Sequence, residues 1–571
     1  MRGFIVAAVV GSALVAGCGK SDDTGPVADT DADADTDTDT DTDTDTDSDT
    51  DTDSDTDTDT EPACEGYRAW DPSGDGVGRF GALASELVFK TTSGDELRLS
   101  ELFDGCSTVV FLLYDSLNPY ATAGWWNGLS PIISRSPPNV HYVAVSFSDD
   151  EDDRFSEVDY LEFELDSVLS AYDDATQQHW RDHTHFLLDD ASDLGWLADV
   201  GAQTMPVGGD AVPVFGAGVD RSQIIRRTGA TLDWSTGVWE PSFLAYEAIA
   251  YEFEHAREIA MAAEPGVTEI TLFDHVPVSD SGWTGARGTV DVALPDLTGF
   301  DTMEFDLELG CADADDDGIP ECPEWDRETM GYLCDGDDGD WCSWEIGRWI
   351  SAYTHEGRWV HDASSLLAML GDGGETRRFQ FYTVDPYTIT WKLRLSNRGK
   401  GMRPTSWAPG FVGGGLDENY DANHPPIEVE IPADATRYEL YAILSGHGSA
   451  TDTKNCAEFC DHEHHFSVGG SSWSKTHPTA GTYDGCQNDV GNGTVPNQWG
   501  SWPYGRAGWC PGKDVVPWVA DLTGAVTPGA TESVSYTVTV DGAPYVPVYT
   551  GGGDYYPTIK LQSYFIGWSA D

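Results

Sequence analysis

Two nearly unbroken apolar runs stand out in the first half of the chain, S-T-V-V-F-L-L-Y (107–114) and V-H-Y-V-A-V-S-F (140–147). Runs of this length, rich in β-branched and aromatic residues, predict strands buried on both faces. Apolar positions at helical spacing predict a helix from Tyr246 to Met261. From Gly266 onward the pattern changes to short alternating segments. They include G-T-V-D-V-A-L (288–294), M-E-F-D-L-E-L (303–309), F-Q-F-Y-T-V (379–384), T-I-T-W-K-L-R-L (388–395) and S-V-S-Y-T-V-T-V (533–540), separated by Gly, Pro, Asn and Asp. Alternation bounded by turn residues predicts antiparallel sandwiches or jelly rolls. The N-R-G-K-G run at 397–401 divides this region into two domains. Two other segments have no core to build. Asp29 to Thr60 is almost pure Asp-Thr and Asp-Ser alternation, predicted to be disordered, self-repelling and up to about 100 Å long when extended. At the start, Arg2 and an apolar run up to Cys18 have the pattern of an export signal, too short to span a bilayer as a stable helix.

Charge narrows the list of partners. With 100 Asp and Glu against 30 Lys and Arg, the net charge of −70 excludes nucleic acid and anionic membrane surfaces. The 21 tryptophans suit either sugar stacking or sandwich cores, and composition does not choose between them. Of the 11 cysteines, setting Cys18 aside leaves an even number, which in an exported chain predicts disulfides. Local spacing suggests Cys311–Cys322, Cys334–Cys342, Cys456–Cys460 and Cys486–Cys510, with Cys64–Cys106 by elimination.

Several stretches resemble known families. Cys18 directly after Ala16-Gly17 resembles a bacterial lipobox. That implies a signal peptide over 1–17, lipidation of Cys18, a tether over 18–62, and attachment to the bacterial outer membrane or cell surface through the lipid alone. Residues 63–262 resemble a thioredoxin-like redoxin domain, on G-D-E-L-R-L-S-E-L-F-D-G before the first core strand and V-P-V-F-G-A-G-V-D-R (212–221), with Pro213 in the cis-proline role. Where redoxins carry their cysteine pair, this chain reads D-S-L-N-P-Y-A-T-A-G-W-W (115–126). Thiol exchange requires a thiolate, so the domain is expected to be redox-inactive.

The motifs C-P-E-W-D-R (322–327), C-A-E-F-C (456–460) and R-A-G-W-C-P-G (506–512) resemble the peptide-N-glycosidase F family, in family order. I-T-L-F-D-H-V (270–276) and W-E-I-G-R-W-I-S-A-Y (344–353) extend the likeness. It implies two jelly rolls, 266–397 and 398–571, with the active site at their interface, and hydrolysis of the asparagine–glycan amide of N-glycoproteins or glycopeptides by a monomer that requires no cofactor. Carried over residue by residue, Asp326 is the acting carboxylate, with Glu458 and Arg506 beside it. Glu324, Arg327 and Trp509 flank them on the substrate side. The family's third glutamate falls on Val384, with Asp385 as the nearest acid, and a sugar-contacting tryptophan is His447 here. A glycan-binding protein without turnover is therefore an alternative. A copper- or zinc-dependent oxygenase-like protein is another, using His447, His462 and His464. Asp313, Asp315 and Asp317 resemble a calcium loop, so a structural calcium is a further expectation.

Overall fold

The computed structural model describes residues 68–114, 129–148, 150–190, 193–204, 215–230, 244–278, 285–312, 322–336, 339, 341–448, 451–498, 500–550 and 556–570. The export run, Cys18, the tether, Cys64, residues 115–126, Pro213 and the calcium candidates Asp313, Asp315 and Asp317 lie outside them.

The first region is mixed α/β. Strands β1 (Val88–Lys90) and β2 (Glu96–Arg98) form a hairpin. A second sheet holds β3 (Thr108–Tyr114), β4 (Val140–Ser146), β5 (Thr184–Phe186), β6 (Phe215–Val219) and β7 (Ile225–Ala230), in the order β5-β4-β3-β6-β7. The pairs β3–β4 and β4–β5 are parallel, and β3–β6 and β6–β7 are antiparallel. The two apolar runs are thus neighbouring central strands, which explains why they lack alternation. Val158, Leu161 and Leu165, at helical spacing on Glu151–Leu169, share this core with Leu244, Ala248 and Tyr251 of the helix Leu244–Ala263. That last helix has a second face. Its Tyr246 and Ala250 pack with Tyr353, Val490 and Trp502 of the β-rich region, and Glu247 Oε1 accepts from Asn497 Nδ2 at 3.0 Å.

The β-rich region is two sandwiches. The first has β8 (Thr268–Val278), β9 (Ala286–Ala293), β10 (Thr302–Cys311), β11 (Glu328–Leu333), β12 (Trp344–Ile350), β13 (Gly357–Asp362), β14 (Thr376–Thr383) and β15 (Tyr387–Ser396). They form the sheets β13-β10-β15-β8 and β12-β11-β14-β9. The second has β16 (Met402–Gly415), β17 (Ile427–Glu430), β18 (Arg437–His447), β19 (His462–Val468) and β20 (Ser471–Lys475). After β21 (Lys513–Asp514) come β22 (Trp518–Asp521), β23 (Thr531–Val540) and β24 (Thr558–Ala570). Its sheets are β16-β24-β18-β22 and β17-β23-β19-β20, while β21 crosses to pair with β12.

The sandwiches meet along β18 and β24, which are buried on both faces. Leu440, Ala442 and Leu444 enter the second core, whereas Tyr441 and Ile443 enter the first. Alternating side chains are so committed to different cores that a one-residue slip would exchange them. Cys311–Cys322, Cys334–Cys342, Cys456–Cys460 and Cys486–Cys510 are bonded. Cys106 is also bonded, its expected partner Cys64 lying outside the described residues.

Candidate active site

The stretch 322–327 enters β11 from a disulfide and is pinned to the chain after β12. Thr354 N donates to Pro323 O at 2.9 Å, and Ser351 Oγ donates to Trp325 O at 3.1 Å while accepting from Arg327 N at 2.8 Å. Asp326 is thereby aimed by backbone bonds rather than left on a free loop. Glu458 comes from the second sandwich, on the single-turn helix Cys456–Phe459, whose ends are joined by a disulfide. Below that helix runs Gly446, where a Cβ would lie 1.9 Å from Ala457 O, so only glycine permits the close approach.

Arg506 joins the two carboxylates. Its Nε donates to Glu458 Oε1 at 3.2 Å, and its Nη2 lies 3.7 Å from Asp326 Oδ2. The remaining donors go to Ser501 O (3.1 Å), Tyr504 O (2.7 Å) and Ser501 Oγ (3.0 Å). The guanidinium also lies 4.9 Å from the ring centre of Trp509 and 5.2 Å from that of Phe459. Its side chain is 1% exposed, against 16% for Asp326 and 12% for Glu458. The arginine is fixed by backbone carbonyls, and the little exposure in the trio belongs to the carboxylates.

Electrostatics separates the two acids. Burial pushes Glu458 up to about 7, opposed by Arg506 and reinforced by the Asp326 charge. Burial also raises Asp326, but Arg506, a hydrogen bond from the Tyr353 hydroxyl and Arg327 all pull it back. Tyr353 ends the W-E-I-G-R-W-I-S-A-Y string, and nothing in its spacing marks it as a site residue. The raised acid has a stability consequence. The folded protein holds a proton on Glu458 between about pH 4.5 and about pH 7 that the unfolded chain has released, so this group's contribution is lost as pH rises through that window. Glu458→Gln removes the effect. Relative to wild type, the variant should gain up to about 3 kcal/mol between pH 5 and pH 8, read from urea melts at each pH.

The other expected site residues fall into separate groups. Val384, Asp385 and Pro386 lie between the end of β14 and the start of β15. Asp385 Oδ2 lies 3.7 Å from Arg327 Nε, with its carboxyl raised by burial against the Arg327 charge. Glu324 and Trp325 are exposed. Trp509 is buried, its indole donating to Gly446 O at 2.7 Å and its ring lying against the Arg506 guanidinium.

His447 does not join His462 and His464. It stacks on Trp509 with ring centres 5.0 Å apart, and its Nε2 lies 2.7 Å from Ser445 Oγ and 3.1 Å from Glu328 Oε1. Adjacent strand residues face opposite sides, which sends His447 to the sandwich interface while Gly446 faces the His462 ring. Burial lowers His447 to about 3 against the pull of Glu328, giving a neutral ring. Burial would raise Glu328, but the charge of His447, present only in acid once that ring is protonated, and those of Lys560 and Arg348 bring the carboxyl down to about 2. His462 and His464 instead meet His477, which sequence reasoning missed.

Residues 417–565 match the family profile described as Peptide-N-glycosidase F, C terminal. The chain is 26% identical over 313 residues to Peptide-N(4)-(N-acetyl-beta-D-glucosaminyl)asparagine amidase F of Elizabethkingia miricola, covering 48% of this chain and 78% of that protein. Among solved structures it is similar to PNGase F, a glycosylasparaginase from Flavobacterium meningosepticum, at 20% identity and a TM-score of 0.40, over 53% of this chain and 96% of that one. PNGF-II matches at 12% identity and a TM-score of 0.40, over 55% of this chain and 68% of its own. The β-rich C-terminal half of this chain is thus a distant homologue of peptide-N-glycosidase F.

Proposed function

We propose that the chain hydrolyses the side-chain amide linking asparagine to the first N-acetylglucosamine of an N-glycan. The observation that carries this reading is the Asp326–Arg506–Glu458 constellation, assembled from both sandwiches at their junction. Water attacks the amide carbon, the C–N bond breaks, and the products are aspartate in the peptide and a glycosylamine. Ionised Asp326 accepts a proton as water attacks. Glu458, holding its proton into the neutral range, donates a hydrogen bond that orders the water and the sugar. Arg506 balances the carboxylates without leaving its backbone cradle. The exposed indole of Trp325, one residue from Asp326, offers an apolar face to the sugar.

The α/β region is read here as a redox-inactive, thioredoxin-like scaffold. Support comes from its order β5-β4-β3-β6-β7 and from the packing of Tyr246 and Ala250 against Tyr353, which hydrogen-bonds Asp326. The lipidated, exported form rests on the Cys18 run alone. Incubating the protein with a defined N-glycopeptide should release intact glycan and raise the peptide mass at that site from Asn to Asp. Saturable binding with no Asn-to-Asp conversion between pH 5 and pH 9 would replace hydrolysis with recognition.

A further inference from the structure

Three histidines converge behind the helix that carries Glu458. His462 and His464 alternate onto the buried face of β19, and His477, two residues beyond β20, closes on them. Ring centres lie 4.7 Å apart for His462–His464, 5.0 Å for His462–His477 and 5.4 Å for His464–His477. One ring nitrogen of each lies within 4.8 Å of those of the other two. All three side chains are buried.

Protons can be assigned along one line. Tyr536 Oη donates to His464 Nδ1 at 2.8 Å, His464 Nε2 to His462 Nδ1 at 2.6 Å, and His462 Nε2 to Ala457 O at 3.0 Å. This satisfies two rings and leaves His477 Nε2 buried without a hydrogen-bond partner. An orphaned buried polar atom costs about 1–3 kcal/mol, so hydrogen bonding alone does not account for the third ring.

We propose that His462, His464 and His477 form a binding site for a divalent transition ion of the zinc type. Three imidazoles with no carboxylate among them favour such an ion over calcium or magnesium. The outer partners that metal-bound histidines use are already in place. His462 Nε2–H is fixed on Ala457 O, which leaves the Nδ1 lone pair facing the cluster. For His464 the proton moves from Nε2 to Nδ1, where Tyr536 Oη accepts it, and this frees Nε2. Binding widens the 2.6 Å nitrogen pair to about 3.3 Å, the edge of a tetrahedron with bonds of about 2.0–2.1 Å. Access comes from a cleft of about 240 Å³ that His477 lines together with Lys475, Arg506, Trp509 and Lys513. Of its two lysines, Lys513 is paired with Asp489. The ion ties β19 to the segment after β20 and, through Ala457, holds the residue before Glu458. This site does not depend on the amidase reading.

The test is metal binding by the purified full chain. After chelator treatment and dialysis, titration with ZnCl2 alone should show one ion per chain by calorimetry and raise the melting temperature. CoCl2 should produce the visible absorption of a tetrahedral nitrogen site. His477→Ala should weaken zinc binding at least 100-fold while keeping the far-UV circular dichroism. His465→Ala, a neighbour on the other face of β19, should bind as wild type does. Absence of zinc and cobalt binding by the wild type at millimolar metal would overturn the proposal. Equal zinc affinity in wild type and His477→Ala would overturn it as well.

Discussion

Asp326→Asn should lower turnover of an N-glycopeptide on the order of 10³-fold while leaving the fold intact. The substitution keeps the side-chain shape and an oxygen that accepts from the Tyr353 hydroxyl, so the local packing survives. In the proposed hydrolysis it removes the group that would accept a proton as water attacks, a loss typically worth about 10²–10⁴-fold. Stability should change little, because Asp326 is a desolvated acid whose ionised form burial already disfavours. The measurement is single-turnover release of glycan at saturating enzyme, which separates chemistry from binding. KM should stay within a few-fold of wild type, since the exposed Trp325 and Glu324 are untouched. A turnover rate within a few-fold of wild type would remove Asp326 from the chemistry.

Much of the frame is legible where one face of a strand is wet. The alternating segments 303–309, 388–395 and 533–540 lie inside β10, β15 and β23, and each strand presents one face to a core. The helical spacing from Tyr246 to Met261 lies inside Leu244–Ala263. Four disulfides follow from spacing because each closes a short local loop. β18 is different: it is buried on both faces and keeps Arg437, Glu439 and Ser445 among apolar residues, so no period marks it. β21 is two residues long, and its partner β12 lies far back in the chain. No local pattern announces such a pair.

The site divides in the same way. Asp326, Glu458 and Arg506 sit inside distinctive strings and are brought together. Tyr353, Glu328 and His477 act across sequence gaps and carry no spacing signal of their own. His447 is close to His462 and His464 in sequence but not in space. Along β18 and β19 the strand alternation decides facing, and it sets His447 against Trp509 and Glu328.

Arg506→Met should be the most damaging single change to stability. Methionine fills part of the volume, but it leaves Asp326 and Glu458 without the guanidinium between them. It also strips donors from Ser501 O and Tyr504 O. Breaking a buried ion pair by removing one partner costs about 3–5 kcal/mol, chiefly because the other charge stays behind. Arg506→Lys should not restore the wild-type value, since one ammonium cannot reach Glu458 Oε1, Ser501 O, Ser501 Oγ and Tyr504 O in the planar fork that arginine uses. The pH dependence separates lost charge from lost packing. Without the arginine both carboxyls rise further, so the folded variant holds protons that folded wild type has released. The stability deficit should therefore be largest at pH 8 and shrink on acidification toward pH 5, where both carboxyls can be neutral. A deficit that stays constant across that range, measured by urea melts, would mean that Arg506 serves as packing over Trp509 and Phe459 and that the carboxylates do not depend on it.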